Sequence, residues 1–296
     1  MMTTFFKSGL LLSVLFLIAN SCTSVKLEEV KDGNSLLWQI SKANQPTSYL
    51  FGTMHLIEEE YYEFTPNLKH LIKSSDAVVM ELGDMPNPLE AMALMKLQTG
   101  TLEDLFTAEN YQKILYFFNE KLNTSESQFK MIYNSFKPFF MFQAITQSYY
   151  ESPPKSYDMD IMAFSKSENI PLIGLETIHQ QIGFFDSIPY DEISEMIIES
   201  FESFDQDIEE MKTLQKLYHE EKVKELIPLI KQQSPEFMKY EDLFLNNRNK
   251  AWIPKLSSEF SQKSCFVAVG AAHLFGKNGI IELLKQEGYE IKAIKK

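Results

Sequence analysis

Two rhythms divide the chain: short, nearly unbroken apolar runs and longer stretches of helical period. Residues 35–40 and 48–51 are short apolar runs separated by Gln45-Pro46, which predicts a β-hairpin. Pro66 then opens a helix, a favoured place for proline, with Leu68, Leu71 and Ile72 on its inner face. Residues 76–82 are apolar almost without a break, as in a parallel strand covered on both faces. From Tyr49 to Leu82 the spacing fits one βαβ unit. Residues 88–98, 108–122 and 127–150 have helical periodicity, which Pro153-Pro154 ends. A helix is expected over 158–169 and a further buried strand over 171–176. Residues 190–231 read as helical and charged, and 236–261 as a long helix that Pro254 kinks or splits. A strand over 265–269, a helix over 279–287 and a strand over 289–294 close the chain. The fold class is α/β: a central mixed, mostly parallel sheet from two similar halves, with a large helical insertion at about 88–150.

The first apolar run does not belong to that fold. Lys7 precedes an apolar stretch over 9–19 and then Asn20-Ser21-Cys22, the layout of an export signal. The stretch is shorter than the roughly 20 residues of a membrane span. Residues 1–21 are therefore expected to be a signal peptide, Cys22 a lipidated first residue, and 22–33 a polar tether. This places the protein at the bacterial cell envelope, lipid-anchored and facing the periplasm or exterior; the alternative is plain secretion. Once Cys22 is acylated, Cys265 has no partner for a disulfide and is expected to be a buried small hydrophobe. A net charge of −13 with no basic stripe argues against nucleic acid as a partner.

The candidate chemistry sits at strand ends. Two runs, Leu50-Phe51-Gly52-Thr53-Met54-His55-Leu56 and Ala268-Val269-Gly270-Ala271-Ala272-His273-Leu274, share one pattern: apolar strand, Gly, two residues, His, Leu. Two other predicted strands end in Glu81 and Glu176. Ligands of open α/β sheets bind beyond the carboxyl ends of strands, so these four side chains converge if the strands are neighbours. Imidazole with carboxylate suits a divalent metal ion, and a His–Glu pair equally suits metal-free base catalysis. Arg248, in the run Asn246-Asn247-Arg248-Asn249, offers a fixed cation for a carboxylate or oxyanion. His70, His179 and His219 read as surface residues, and the Phe, Met and Tyr residues of 129–150 as core.

In their order these motifs resemble the TraB/GumN family, which includes the TIKI-type metalloproteases; the likeness runs over about 34–294. It implies a single α/β domain over 34–296, related to the erythromycin-esterase and ChaN-like fold, and a metal-dependent peptidase. The metal implied is Mn, Co or Zn, held by His55, Glu81 and His273, with Arg248 and Glu176 steadying substrate or transition state. A peptide or a small ester or amide is the implied substrate. The rival readings are a metal-independent esterase-like hydrolase with His55 as base, and a non-catalytic lipoprotein binding haem or another ligand. The sharpest expectation is geometric: His55 and His273 lie at one sheet edge.

Overall fold

A computed structural model describes residues 27–233 and 238–296. The export signal and Cys22 lie outside the described residues. In chain order the strands are β1 (Leu37–Ser41), β2 (Ser48–Thr53), β3 (Ala77–Leu82), β4 (Leu172–Glu176), β5 (Cys265–Gly270) and β6 (Glu290–Ile294). They form one six-stranded sheet in the order β4-β3-β5-β2-β1-β6. β4, β3, β5 and β2 are parallel, while β1 runs antiparallel to both β2 and β6. The β1–β2 hairpin is as expected. β2, α1 and β3 form the expected parallel crossover, with β5 from later in the chain inserted between the two strands.

The helices are α1 (Pro66–Lys73), α2 (Pro88–Met95), α3 (Leu102–Leu105), α4 (Ala108–Glu120), α5 (Glu126–Ile132), α6 (Phe139–Ser148), α7 (Tyr157–Ser167), α8 (Ile178–Asp186), α9 (Tyr190–Glu202), α10 (Phe204–His219), α11 (Val223–Gln233), α12 (Asn247–Phe260) and α13 (Ile280–Gln286). Strand alternation sorts the apolar runs onto two faces. Phe51, Val78, Met80, Phe266 and Ala268 face Leu68, Leu71 and Ile72 of α1, Tyr157 and Ile161 of α7, and Tyr218. Leu50, Val79, Val267 and Val269 face Trp252, Ile253 and Leu256 of α12 and Ile280 and Leu284 of α13. Burial on both faces, roughly 1.5–3 kcal/mol for each such side chain, is why these strands carry almost no polar positions. A third apolar cluster, including Ile114, Phe118, Phe129, Met141 and Ile197, belongs to the helical region. The aromatic residues of 129–150 thus include core, as expected.

Two boundaries differ from expectation. Pro254 does not split α12, which runs through it to Phe260. The long predicted helix changes character earlier, at a π-helical turn over Asp242–Asn246. The described end of the expected tether is docked: Val30 N–H donates to the Ala293 carbonyl at 2.9 Å, and Leu27 and Val30 pack on the two faces of the core.

Candidate functional site

The register of β2 on β5 pairs Gly52 with Val269 and Thr53 with Gly270. His55 and His273 therefore leave the same end of two adjacent parallel strands, as the duplicated motif required. Gly52 lies under the second motif's turn: a Cβ there would stand 3.0 Å from both Ala271 Cα and Leu274 Cδ2. Gly270 is different. A Cβ built on it would meet Glu81 Oε1 at 3.5 Å, His273 Cδ2 at 3.6 Å and His55 Nε2 at 3.7 Å. Its missing side chain marks the space on which the three groups converge.

Glu81, the last residue but one of β3, lies on the alternation face of Val79, so it turns toward α12. Its Oε1 accepts the Gly270 N–H at 3.0 Å and its Oε2 meets Arg248 Nη2 at 2.5 Å. Arg248 also grips Glu176: Nε lies 3.0 Å from Oε1 and Nη2 2.9 Å from Oε2. The indole of Trp252, one turn along α12, donates to Glu176 Oε1 at 3.0 Å. Arg248 Nη1 donates to the Phe244 carbonyl within the π turn, a helical irregularity often found at functional sites. Gln181 Nε2 adds a bond to Glu81 Oε2 at 3.2 Å. One guanidinium thus ties the two Glu-terminated strands together, and the three side chains are only 6–11% exposed.

Both imidazoles have an assignable partner on Nδ1. Asn249 Nδ2 donates to the carbonyls of His273 and Asn278, so its Oδ1 is the atom facing His273 Nδ1 at 2.6 Å. Guanidinium only donates, and Arg248 Nη1 lies 3.2 Å from His273 Nε2. His273 is therefore the Nδ1–H tautomer, with its Nε2 lone pair turned into the site. His55 Nδ1 lies 2.8 Å from Asp158 Oδ2, and Thr53 Oγ1 donates to Asp158 Oδ1 at 3.0 Å. An imidazole oriented through Nδ1 by an amide or carboxylate is the usual outer support of a metal-binding histidine. His273 is buried, whereas the His55 side chain is 67% exposed.

Charge follows from these contacts. Burial pushes the His273 pKa down to about 3, which keeps the ring neutral. Asp158 pushes that of His55 up to about 9. Burial on its own would raise Glu81; His273, Arg248 and His55 outweigh it and hold the carboxyl low, at about 2. For the metal-free protein the signs give a peaked stability profile. The His273 contribution is present above about pH 6.5 and lost as pH falls toward 3; that of Glu81 is lost from about 4.5 toward 2. The His55 contribution is present below about pH 6.5 and lost as pH rises through 9. Thermal unfolding against pH is expected to show Tm highest near pH 6.5 and falling on both sides. His273→Gln flattens the limb between pH 6.5 and 4.5; a wild-type Tm that is level there contradicts the neutral buried ring.

All five predicted site residues, His55, Glu81, Glu176, Arg248 and His273, meet at the carboxyl ends of the parallel strands. His70, His179 and His219 are exposed, as expected. Cys265 is buried and free, and burial pushes its thiol up to about 12. Asp158, Asn249, Gln181 and Trp252 were not anticipated. Asn249 belongs to the singled-out Asn-rich run and Trp252 follows Arg248 by one helical turn; Asp158 and Gln181 have no local signal.

The donors suit a divalent ion in kind: two imidazoles with Nε2 turned inward and one ionised carboxylate. Their spacing is looser. His273 Nε2 stands 3.8 Å from Glu81 Oε1, and Arg248 takes up both the His273 lone pair and Glu81 Oε2. Among the described residues, no group of three or more His, Cys, Asp or Glu is placed to hold a metal ion.

A mixed α/β sheet with two Gly-x-x-His strand ends facing two Glu strand ends is the pattern the motif order implied. The chain belongs to the TraB/PrgY/gumN family, whose model matches residues 36–293. It is similar to the protein named Metalloprotease TIKI1 of Danio rerio, 21% identical over 319 aligned positions that cover 88% of this chain and 63% of that protein. The Homo sapiens protein of the same name is 22% identical over 322 positions, covering 88% and 62%. The chain spans less than two thirds of the length of these curated relatives. No solved structure matches it.

Proposed function

We propose that the protein is a metal-dependent hydrolase, a peptidase by class, acting at the bacterial cell envelope on a peptide or a related amide or ester. The observation that carries this reading is the convergence of His55 Nε2, Glu81 Oε1 and His273 around the bare Cα of Gly270. His55, Glu81 and His273 would hold an Mn, Co or Zn ion, with Arg248 withdrawing from the His273 lone pair. When bound, such an ion lowers the pKa of water to about 7 and polarises a carbonyl. The chain's own residues supply the rest. Asn249 keeps the His273 proton on Nδ1, Gly270 N–H and Gln181 orient Glu81, and Glu176 holds the guanidinium that faces developing negative charge. Metal analysis of purified protein tests the reading: about one ion per chain is expected, with ion and peptide hydrolysis both lost in His55→Ala/His273→Ala. Hydrolysis that survives in the double variant sinks it. The anchor has its own test, since Cys22→Ser is expected to move the protein out of the membrane fraction.

The Asp158–His55 pair favours a second reading, a metal-free base. Asp158 raises the His55 pKa to about 9, so the ring is a proton donor at neutral pH and a base only above it. On that reading, hydrolysis by chelator-treated protein climbs up to about pH 9.

A further inference from the structure

We infer that Asp158 is the positioning residue of this site: its carboxylate fixes the ring and the tautomer of His55, so that Nε2 is the atom presented beside Glu81 and His273. The use of that atom rests on the hydrolase reading above; the positioning rests on geometry.

His273 is held by burial, and Asn249 only has to choose its tautomer. His55 has no such enclosure, since its side chain is two-thirds exposed at 67%. Backbone ties do fix the loop that bears it. Ile57 and Lys155 exchange both backbone hydrogen bonds at 3.0 and 2.8 Å, and Tyr150 Oη donates to the Leu56 carbonyl at 3.0 Å. None of these sets the rotation of the imidazole. Asp158 does, because both its oxygens are committed. Oδ1 accepts from Thr53, the last residue of β2, whose side chain is buried and fixed in direction; Oδ2 faces His55 Nδ1. One carboxylate therefore references a loop histidine to the end of the strand two residues before it. An ionised carboxylate only accepts, so the proton lies on Nδ1 and the neutral ring keeps its lone pair on Nε2. Asp158 stands in the first turn of α7, behind the Ser156 cap, where the helix dipole favours negative charge. Glu81 and Arg248 also act on the ring, with opposite sign.

Two measurements on the full chain test this. Long-range proton–nitrogen NMR of the metal-free protein, above the ring's pKa of about 9, reads the tautomer. Calorimetry with Mn²⁺, Co²⁺ and Zn²⁺ reads affinity. Asp158→Ala is expected to move His55 from Nδ1–H to a mixture while His273 stays unchanged, and to weaken ion binding about 10–100-fold. Asp158→Asn keeps an acceptor and is expected to retain the tautomer with a smaller loss of affinity. Thr53→Val, which frees Oδ1, falls between the two and serves if Asp158→Ala does not fold. An unchanged His55 tautomer with wild-type affinity in Asp158→Ala, or in Thr53→Val where that variant stands in, overturns the inference. If wild-type protein binds none of the three ions, the metal reading fails and the NMR arm alone decides on Asp158.

Discussion

Arg248→Ala is expected to cost about 3–5 kcal/mol of folding stability, because it strands two buried carboxylates. Glu81 and Glu176 are 11% and 6% exposed, and the guanidinium that joins them is 10% exposed. Removing it leaves Glu81 with only the Gly270 and Gln181 donors, and Glu176 with the Trp252 indole and the longer 3.5 Å bond from Gln181. Two negative charges then face each other in a partly dry space. The Glu81 carboxyl is also expected to lose part of its depression, so the loss is greatest at neutral pH and smaller in acid. Urea unfolding of metal-free protein at two pH values measures both effects. Arg248→Lys is expected to recover only part, since a point ammonium cannot reproduce the planar fork on Glu176. A loss under about 1 kcal/mol for Arg248→Ala means that the carboxylates reach water on their own.

Gly270→Ala separates stability from function. Gly270 has φ −50° and ψ 136°, ordinary values for any residue, so no backbone strain follows. The added methyl meets its neighbours at 3.5–3.7 Å, ordinary van der Waals contact. Stability within about 1 kcal/mol of wild type is therefore expected. The methyl nevertheless fills the space between His55, Glu81 and His273, and displacing reacting groups by even 1 Å costs about 100-fold in rate. Denaturant midpoint and peptide hydrolysis, measured on one preparation, give the pair of numbers. Wild-type hydrolysis in Gly270→Ala shows that the chemistry lies elsewhere. Gly52→Ala is the informative contrast: contacts of 3.0 Å on Ala271 and Leu274 force the second motif's turn to shift, and about 1–3 kcal/mol of stability goes with it.

The elements were legible because each rests on local pattern. The unbroken apolar runs of β3 and β5, the proline at the head of α1 and the glycine before each histidine act within a few residues. The five site residues were legible as strand ends and as one odd polar run in a helix. What local pattern does not encode is adjacency. The insertion of β5 between β2 and β3 depends on pairings such as Tyr49 with Phe266, far apart in sequence. Asp158 finds His55 only because α7 packs on the face that Thr53 shares. Pro254 reads as a break, yet α12 passes through it while burying Trp252, Ile253, Leu256 and Phe260, and that packing outweighs a missing N–H.

The placement of β5 also governs when the site comes into being. The strand that joins the β1–β2 hairpin to the β3–β4 pair leaves the ribosome after all four of them. Until it docks, β2 and β3 present open edges, and His55 and Glu81 have no common floor. Loop closure over 217 residues for β2 with β5 and 188 for β3 with β5 must come before these pairings are rewarded, which makes this step slow relative to the local hairpin. A chain interrupted before Cys265 thus has no assembled centre, and any hydrolytic activity is withheld until β5 has been made.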